Sequence, residues 1–268
     1  GASTSKPTTG GKKPGRRAGR SQRTKTSANT EETRLNKYLA NAGIASRREA
    51  DQLIETGLVE VNGTTITAMG HKVKPGDTVK FNGSTVNPES KVYYLMNKPK
   101  GFITTTDDPR ARKTVMELIA SAGKERIYPV GRLDRQTTGV LLFTNDGDLA
   151  KKLTHPSHGA RKIYQVTLDK NLEKGDFHKI QEGLNLEDGP IQVDEVAYVE
   201  GKSRKNIGVV LHSGRNRIVR RIFEYLGYEI THLDRVAFAG LTKKNLSRGQ
   251  WRKLSHQEVQ FLQKSGAG

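Results

Sequence analysis

The spacing of apolar residues changes character along this chain. From Leu35 they recur at helical intervals (Leu35, Tyr38, Leu39, Ala42), and Gly43 supplies a stop. Ser46-Arg47-Arg48-Glu49 then has the form of a capping box: the Ser46 hydroxyl takes a free amide while Glu49 reaches back. Ala50, Leu53 and Ile54 extend the apolar face of this second helix, and Gly57 ends it. The period then drops to two. Val59 and Val61 alternate before Asn62-Gly63, and Val79 and Phe81 before Asn82-Gly83, each a hairpin signal. Residues 1–33 hold almost nothing apolar and cannot bury enough surface to order themselves.

Beyond residue 91 the pattern predicts mainly strands. Residues 92–96 form one, and residues 140–144 are a continuous apolar run that reads as a buried strand. Ile163, Gln165 and Thr167 alternate with Tyr164, Val166 and Leu168 in a third, and residues 207–212 form a fourth. A helix is predicted over 217–225, with Ile218, Ile222 and Tyr225 on one face and Gly227 as its stop, and a short one over 257–263. Strands dominate without a βαβ rhythm, which argues an α+β fold with a largely antiparallel sheet. The chain divides into a basic tail (1–33), a small α/β module (34–90) and a larger domain (91–265).

Composition sharpens this. With 268 residues there is room for a small module and a full core-bearing domain, while 33% hydrophobic residues fits a chain of which part builds no core. Forty-six Lys and Arg against 28 Asp and Glu leave a formal charge of +18, which points to a polyanionic partner, since such residues release counterions on pairing with phosphates. Lys6, Lys12, Lys13, Arg16, Arg17, Arg20, Arg23 and Lys25 meet no acid before Glu31, so the tail reads as an RNA-grasping or a solubilising segment. The absence of cysteine excludes disulfides, thiolate metal sites and cysteine nucleophiles. No apolar stretch approaches the ~18 residues of a membrane-spanning helix. A soluble, reducing compartment such as the cytoplasm is expected, with an organelle address left open by the Arg- and Ser-containing tail.

The densest candidate for chemistry is Gly131-Arg132-Leu133-Asp134-Arg135-Gln136-Thr137-Thr138-Gly139, one carboxylate in a polar loop just before the buried strand. From spacing alone Asp134 reads at least as well as a loop brace paired with Arg132 or Arg135. His155 and His158 flank Pro156-Ser157, and the proline disfavours one helical metal-binding face, so a loop near RNA is the better reading. There is no phosphate-binding loop and no HExxH motif.

Longer segments carry a resemblance. RLNKYLANAGIASRREADQLIETGLVEVNG resembles the S4 RNA-binding domain, which implies RNA contacts from Arg34, Lys37, Arg47 and Arg48. VGRLDRQTTGVLLFTNDG closely resembles the signature of pseudouridine synthases; RKIYQV, SGRNRIVRR, MNKPKGFITTTDDP and GQWRKLSHQEV are similar to other segments of that family. The resemblance implies that Asp134 is the nucleophile, that Tyr164 packs against the target base and that Arg220 holds the carboxylate. Arg132, Lys162, Arg215, Arg217 and Arg221 are expected to contact RNA. Ile218 stands where the family pattern usually has Gln, so no polar role follows there. Among pseudouridine synthases, an S4 module with these motifs resembles the RsuA/RluB/RluF group and most nearly its large-subunit branch, small-subunit RNA being the alternative. The implied partner is ribosomal RNA or a ribosomal subunit precursor, met by a monomer without metal or organic cofactor. Two rivals are a non-catalytic S4-bearing assembly factor and an S4-bearing methyltransferase; the latter would need a Gly-rich βαβ turn, which the sequence lacks.

Overall fold

A computed structural model of the protein describes residues 31–265 apart from His158. The eight basic residues of the tail and one of the paired histidines therefore lie outside the described residues. Among those described, no helix is long and apolar enough to cross a membrane.

The N-terminal module is built as its periodicity dictates. Helices Leu35–Asn41 and Arg47–Glu55 bury Leu35, Leu39, Ala50 and Ile54 against Val59, Val61, Val73 and Val79. The Glu49 amide donates to Ser46 Oγ at 3.1 Å, which fixes the start of the second helix. Strand Val59–Val61 pairs antiparallel with Thr64–Thr65 and Val79–Phe81, and the latter with Ser84–Thr85. Both hairpins turn through consecutive left-handed residues, Asn62 (φ 52°) with Gly63 (φ 80°) and Asn82 (φ 47°) with Gly83 (φ 83°), the conformation that Asn-Gly tolerates best.

The larger region is organised around one nine-stranded sheet. Across it run Glu195–Tyr198, Asn206–Leu211, Lys162–Leu168, Ile230–Phe238, Thr138–Thr144, Tyr93–Lys98 and Trp251–Lys253, with two short strands appended. Every named pairing is antiparallel except one: Ile230–Phe238 lies parallel to Thr138–Thr144, with Asp234 opposite Thr138 and Arg235 opposite Gly139. Gly139 is obligatory at this junction, because a Cβ there would come within 2.1 Å of the Arg235 carbonyl oxygen. The central strands are buried on both faces. Tyr93, Leu95, Val140 and Leu142 pack on one side, and Tyr94, Met96, Leu141 and Phe143 on the other, which explains their unbroken apolar run.

Two helix expectations need correction. The helix is Ile218–Tyr225, with Arg217 outside it as a left-handed N-cap (φ 52°). Starting one residue later, it buries Ile218, Val219, Ile222 and Phe223 and leaves Tyr225 58% exposed. The last helix, His256–Ser265, is longer than predicted and is anchored by the fully buried Leu262.

Polar contacts join the module to the sheet domain. Lys37 Nζ lies 3.0 Å from Asp148 Oδ1, so this lysine, expected to serve RNA, already holds a carboxylate. Glu89 accepts from the Arg126 amide (3.1 Å) and from Asn145 Nδ2 (3.4 Å), while its own amide donates to the Asn41 carbonyl (2.7 Å).

Candidate active site

Asp134 sits in the loop before strand Thr138–Thr144, and the loop is held by its backbone. Lys98, at the end of strand Tyr93–Lys98, is completely buried. Its Nζ faces four carbonyl oxygens, those of Pro99 (3.1 Å), Asp134 (3.1 Å), Arg135 (3.3 Å) and Thr137 (2.7 Å). Thr104 Oγ1 donates to the Leu133 carbonyl (3.1 Å) and accepts from the Leu133 amide (3.2 Å). The Gly101 amide donates to the Arg135 carbonyl at 2.8 Å, and the Thr137 amide to that of Asp134 at 2.9 Å. With the main chain tied down, the Asp134 side chain remains 34% exposed, open to a substrate.

Burial pushes the Lys98 ammonium down from 10.5 to about 8, against the opposing pull of Asp134. The folded protein therefore gives up this proton before the unfolded chain does. Between pH 8 and 10.5 the unfolded chain binds more protons, so Lys98 favours folding increasingly as pH rises. Lys98→Met removes the anchor and that titration together. The single-turnover rate should fall about 100-fold, the cost of a small misplacement of a reacting group, with RNA affinity within a few-fold. As pH rises from 8 towards 10.5, urea unfolding should show the wild type gaining on the variant. Equal rates and parallel pH curves would remove Lys98 from this role.

The partners of Asp134 come from the helix and its cap. Arg220 is only 13% exposed; its Nε lies 3.3 Å from Asp134 Oδ2 and its Nη2 donates to Thr137 Oγ1 at 3.2 Å. That Nε is buried and off the line of a hydrogen bond, so the contact is an ion pair by distance with a donor still unused. Arg217, 46% exposed, brings Nη1 to 3.4 Å from the same oxygen and Nη2 to 3.6 Å from Glu224. Neither Arg132 nor Arg135 braces Asp134: Arg132 is exposed, and Arg135 Nε reaches the Gly101 carbonyl at 3.5 Å. The expectation that Arg217 serves RNA alone is not what the geometry shows, because its left-handed cap position turns it towards the carboxylate.

Tyr164, half-buried on strand Lys162–Leu168, stands opposite Arg235 and Val209 and packs on the neighbouring core. Arg235 is 2% exposed and donates from Nε (2.9 Å) and Nη2 (2.7 Å) to the Val140 carbonyl, with its guanidinium 4.5 Å from the centre of the Phe238 ring. Asp234 beside it accepts from Thr138 Oγ1 (2.8 Å) and Arg248 Nη1 (3.1 Å), and pairs with Lys243. Sequence reasoning missed Lys98, Arg235 and Asp234. The available signal was a charged residue set at the end of, or inside, an otherwise apolar strand.

Besides Lys37 and Arg217, three more of the expected RNA contacts are engaged inside the protein. Arg221 Nη1 (2.7 Å) and Arg215 Nη2 (2.5 Å) both grip Asp188, and Arg215 Nη1 also donates to the Pro190 carbonyl (2.8 Å). Arg221 and Arg215 together hold the Asp188 carboxyl well below the usual carboxylate range. They tie the loop carrying Arg217 to the hairpin Leu184–Leu186/Gly189–Ile191. Lys162 is 8% exposed, and its Nζ donates to the His212 (3.0 Å) and Ser213 (3.4 Å) carbonyls. Burial, aided by Arg235, pushes its pKa to about 8. It faces inward because the strand's alternation points it there. By contrast, Arg34, Arg47 and Arg48 are exposed and make no ion pair among the described residues. His155 Nδ1 lies 2.6 Å from Ser157 Oγ.

Comparison with known proteins gives this geometry a setting. The family model for RNA pseudouridylate synthase matches residues 92–225, and that for the S4 domain matches residues 33–79. The chain is 40% identical over 232 residues to ribosomal large subunit pseudouridine synthase B of Bacillus subtilis (strain 168), covering 85% of this chain and 95% of that protein. It is 36% identical over 231 residues to the dual-specificity RNA pseudouridine synthase RluF of Escherichia coli (strain K12), covering 84% and 77%. A crystal structure described as a pseudouridylate synthase superposes with a TM-score of 0.61 at 28% identity, covering 85% of this chain and 99% of that one. An S4 domain followed by an α+β domain with this sheet, these family matches and these relatives make the chain a member of the RNA pseudouridylate synthases, isomerases of the RsuA/RluB/RluF group.

Proposed function

We propose that this chain converts a specific uridine of large-subunit ribosomal RNA, free or in a subunit precursor, to pseudouridine, with Asp134 as the nucleophile. The observation that carries the reading is a single open carboxylate, fixed through its backbone by Lys98 and Thr104 and faced by Arg217 and Arg220. The similarity to the Bacillus enzyme, over 95% of that protein, supports the choice of subunit.

The reaction is an isomerisation, so nothing is added. The bond between uracil N1 and the sugar C1′ breaks, the base turns, and C5 bonds to C1′. The proton on C5 is released while N1 gains one. A carboxylate serves either route, attack at the sugar or removal of a sugar proton, by splitting one hard step into two. Arg220 and Arg217 stand against Asp134 Oδ2 and hold the carboxylate in its orientation. A base in a helix must first leave the stack, and the half-buried Tyr164 ring gives it a surface on which to rest. The division into tail (1–33), S4 module (34–90) and catalytic domain (91–265) assigns Arg34, Arg47 and Arg48 to the RNA backbone, read by shape, by a monomer.

Release of tritium from C5-labelled uridine tests the reading directly. One equivalent per transcript should be freed from unmodified large-subunit RNA and none from small-subunit RNA; the reverse would move the target. Deleting residues 1–33 should flatten the dependence of affinity on salt. Its eight basic residues would change the logarithmic slope by up to about seven, at roughly 0.7–0.9 per phosphate neutralised. An unchanged slope would make the tail a passive spacer.

A further inference from the structure

Away from Asp134, helix Gly147–Thr154, the turn at Ala239-Gly240 and the final helix enclose an open groove of roughly 800 Å³. The floor is apolar and the rim is basic. Phe261 is 55% exposed in the groove, although the next residue, Leu262, is fully buried and fixes the helix that carries it. The Phe261 ring rests on the Ala239-Gly240 turn. A Cβ on Gly240 (φ 82°) would come within 2.8 Å of Phe261 Cε1, so glycine lets the ring lie directly against backbone. The ring is thus braced at its Cε1 corner while much of it stays open to solvent. Lys151, Lys152 and Arg161 are exposed along the rim and make no ion pair among the described residues. The carboxylate in the lining, Asp148, is taken up by Lys37 at 3.0 Å.

We infer that this groove binds a single-stranded stretch of the RNA substrate, with a base stacked on Phe261 and phosphates along Lys151, Lys152 and Arg161. An aromatic platform beside unpaired cations is the arrangement that holds unpaired nucleotides with little regard to sequence. An acidic protein segment would satisfy the cations and leave the flat ring without a stacking partner. The Lys37–Asp148 pair places the S4 helix Leu35–Asn41 next to the groove, so RNA held by that module has a short path into it. The inference rests on the proposed RNA substrate and extends it from the target uridine to its flanking strand.

Binding is measured on the full chain with Asp134→Asn as background, which prevents turnover. The probes are oligouridine of roughly ten nucleotides, within the range that one binding face occupies, and an RNA duplex of equal length. Phe261→Ala should weaken oligouridine binding about 10-fold, the scale of one lost base stack, and leave duplex binding unchanged. Lys151→Glu with Lys152→Glu should weaken oligouridine binding, most at low salt, and flatten its dependence on salt. Gly240→Ala, which pushes the ring off its support, should reproduce the Phe261→Ala loss. Thiouridine in the oligomer should photocrosslink to a peptide within residues 256–265. Unchanged oligouridine affinity in Phe261→Ala, or crosslinks confined to other peptides, would overturn the inference. So would Phe261→Ala altering the sedimentation of the protein without altering RNA binding, which would assign the groove to a second copy. These readouts do not involve catalysis, so failure here is distinct from failure to release tritium.

Discussion

Asp134→Asn should abolish pseudouridine formation and leave RNA binding within a few-fold. The amide keeps the shape of the side chain, and the loop is fixed through main-chain bonds from Lys98, Thr104 and Gly101 that the substitution does not touch. What disappears is the nucleophile, since an amide neither attacks a sugar carbon nor takes its proton at neutral pH. The rate should fall by at least about four orders of magnitude, the scale on which loss of one essential reacting group acts in other enzymes. Removing a negative charge from a surface facing phosphates should leave affinity equal or slightly higher. Conversion and affinity measured on the same transcript separate the two effects. Turnover within an order of magnitude of wild type would exclude Asp134 as the nucleophile.

Arg220→Ala should cost far more catalysis than Arg217→Ala, although both guanidinium groups stand about equally far from Asp134 Oδ2, at 3.3 and 3.4 Å. Exposure decides between them. Arg220 is 13% exposed and Arg217 46%, so water and salt screen the second pair much more strongly. Arg220 also reaches Thr137 Oγ1 inside the loop, and its buried Nε is left with capacity to tighten on the carboxylate as charge redistributes. Loss of one buried donor facing a reacting charge typically costs about 100- to 1,000-fold in rate. Arg217→Ala should cost less than about 10-fold in single-turnover rate, as expected for a solvent-screened pair, with a comparable share in affinity. The test is single-turnover rate at saturating enzyme. Equal losses would mean that distance, not burial, sets the contribution.

What could be read in the sequence was what is local. The Asn-Gly turns, the Ser46 cap and the double-sided run around Val140 each follow from neighbouring residues, and each is found where the pattern puts it. Contacts between distant segments were not legible in this way. The parallel junction that sets Thr138 beside Asp234 joins residues far apart in the chain, and only its requirement for glycine at 139 leaves a trace. Lys98 and Lys162 read as surface residues by type, yet the first ends a strand buried on both faces and the second is turned inward by strand alternation, and both donate to carbonyl oxygens. Arg215 and Arg221 read as RNA contacts because Asp188 sits in a hairpin that the apolar pattern did not mark. The helix buries Val219 and Phe223 beside Ile218 and Ile222, and Tyr225, its last residue, is left in solvent.

The most direct test of the central claim is nucleotide-resolution mapping of pseudouridine in ribosomal RNA from cells lacking the gene, and from the same cells carrying the wild-type chain or Asp134→Asn. One large-subunit uridine should remain unmodified without the protein, become pseudouridine with the wild type, and stay uridine with the variant. Pseudouridine maps identical in all three strains would contradict the account.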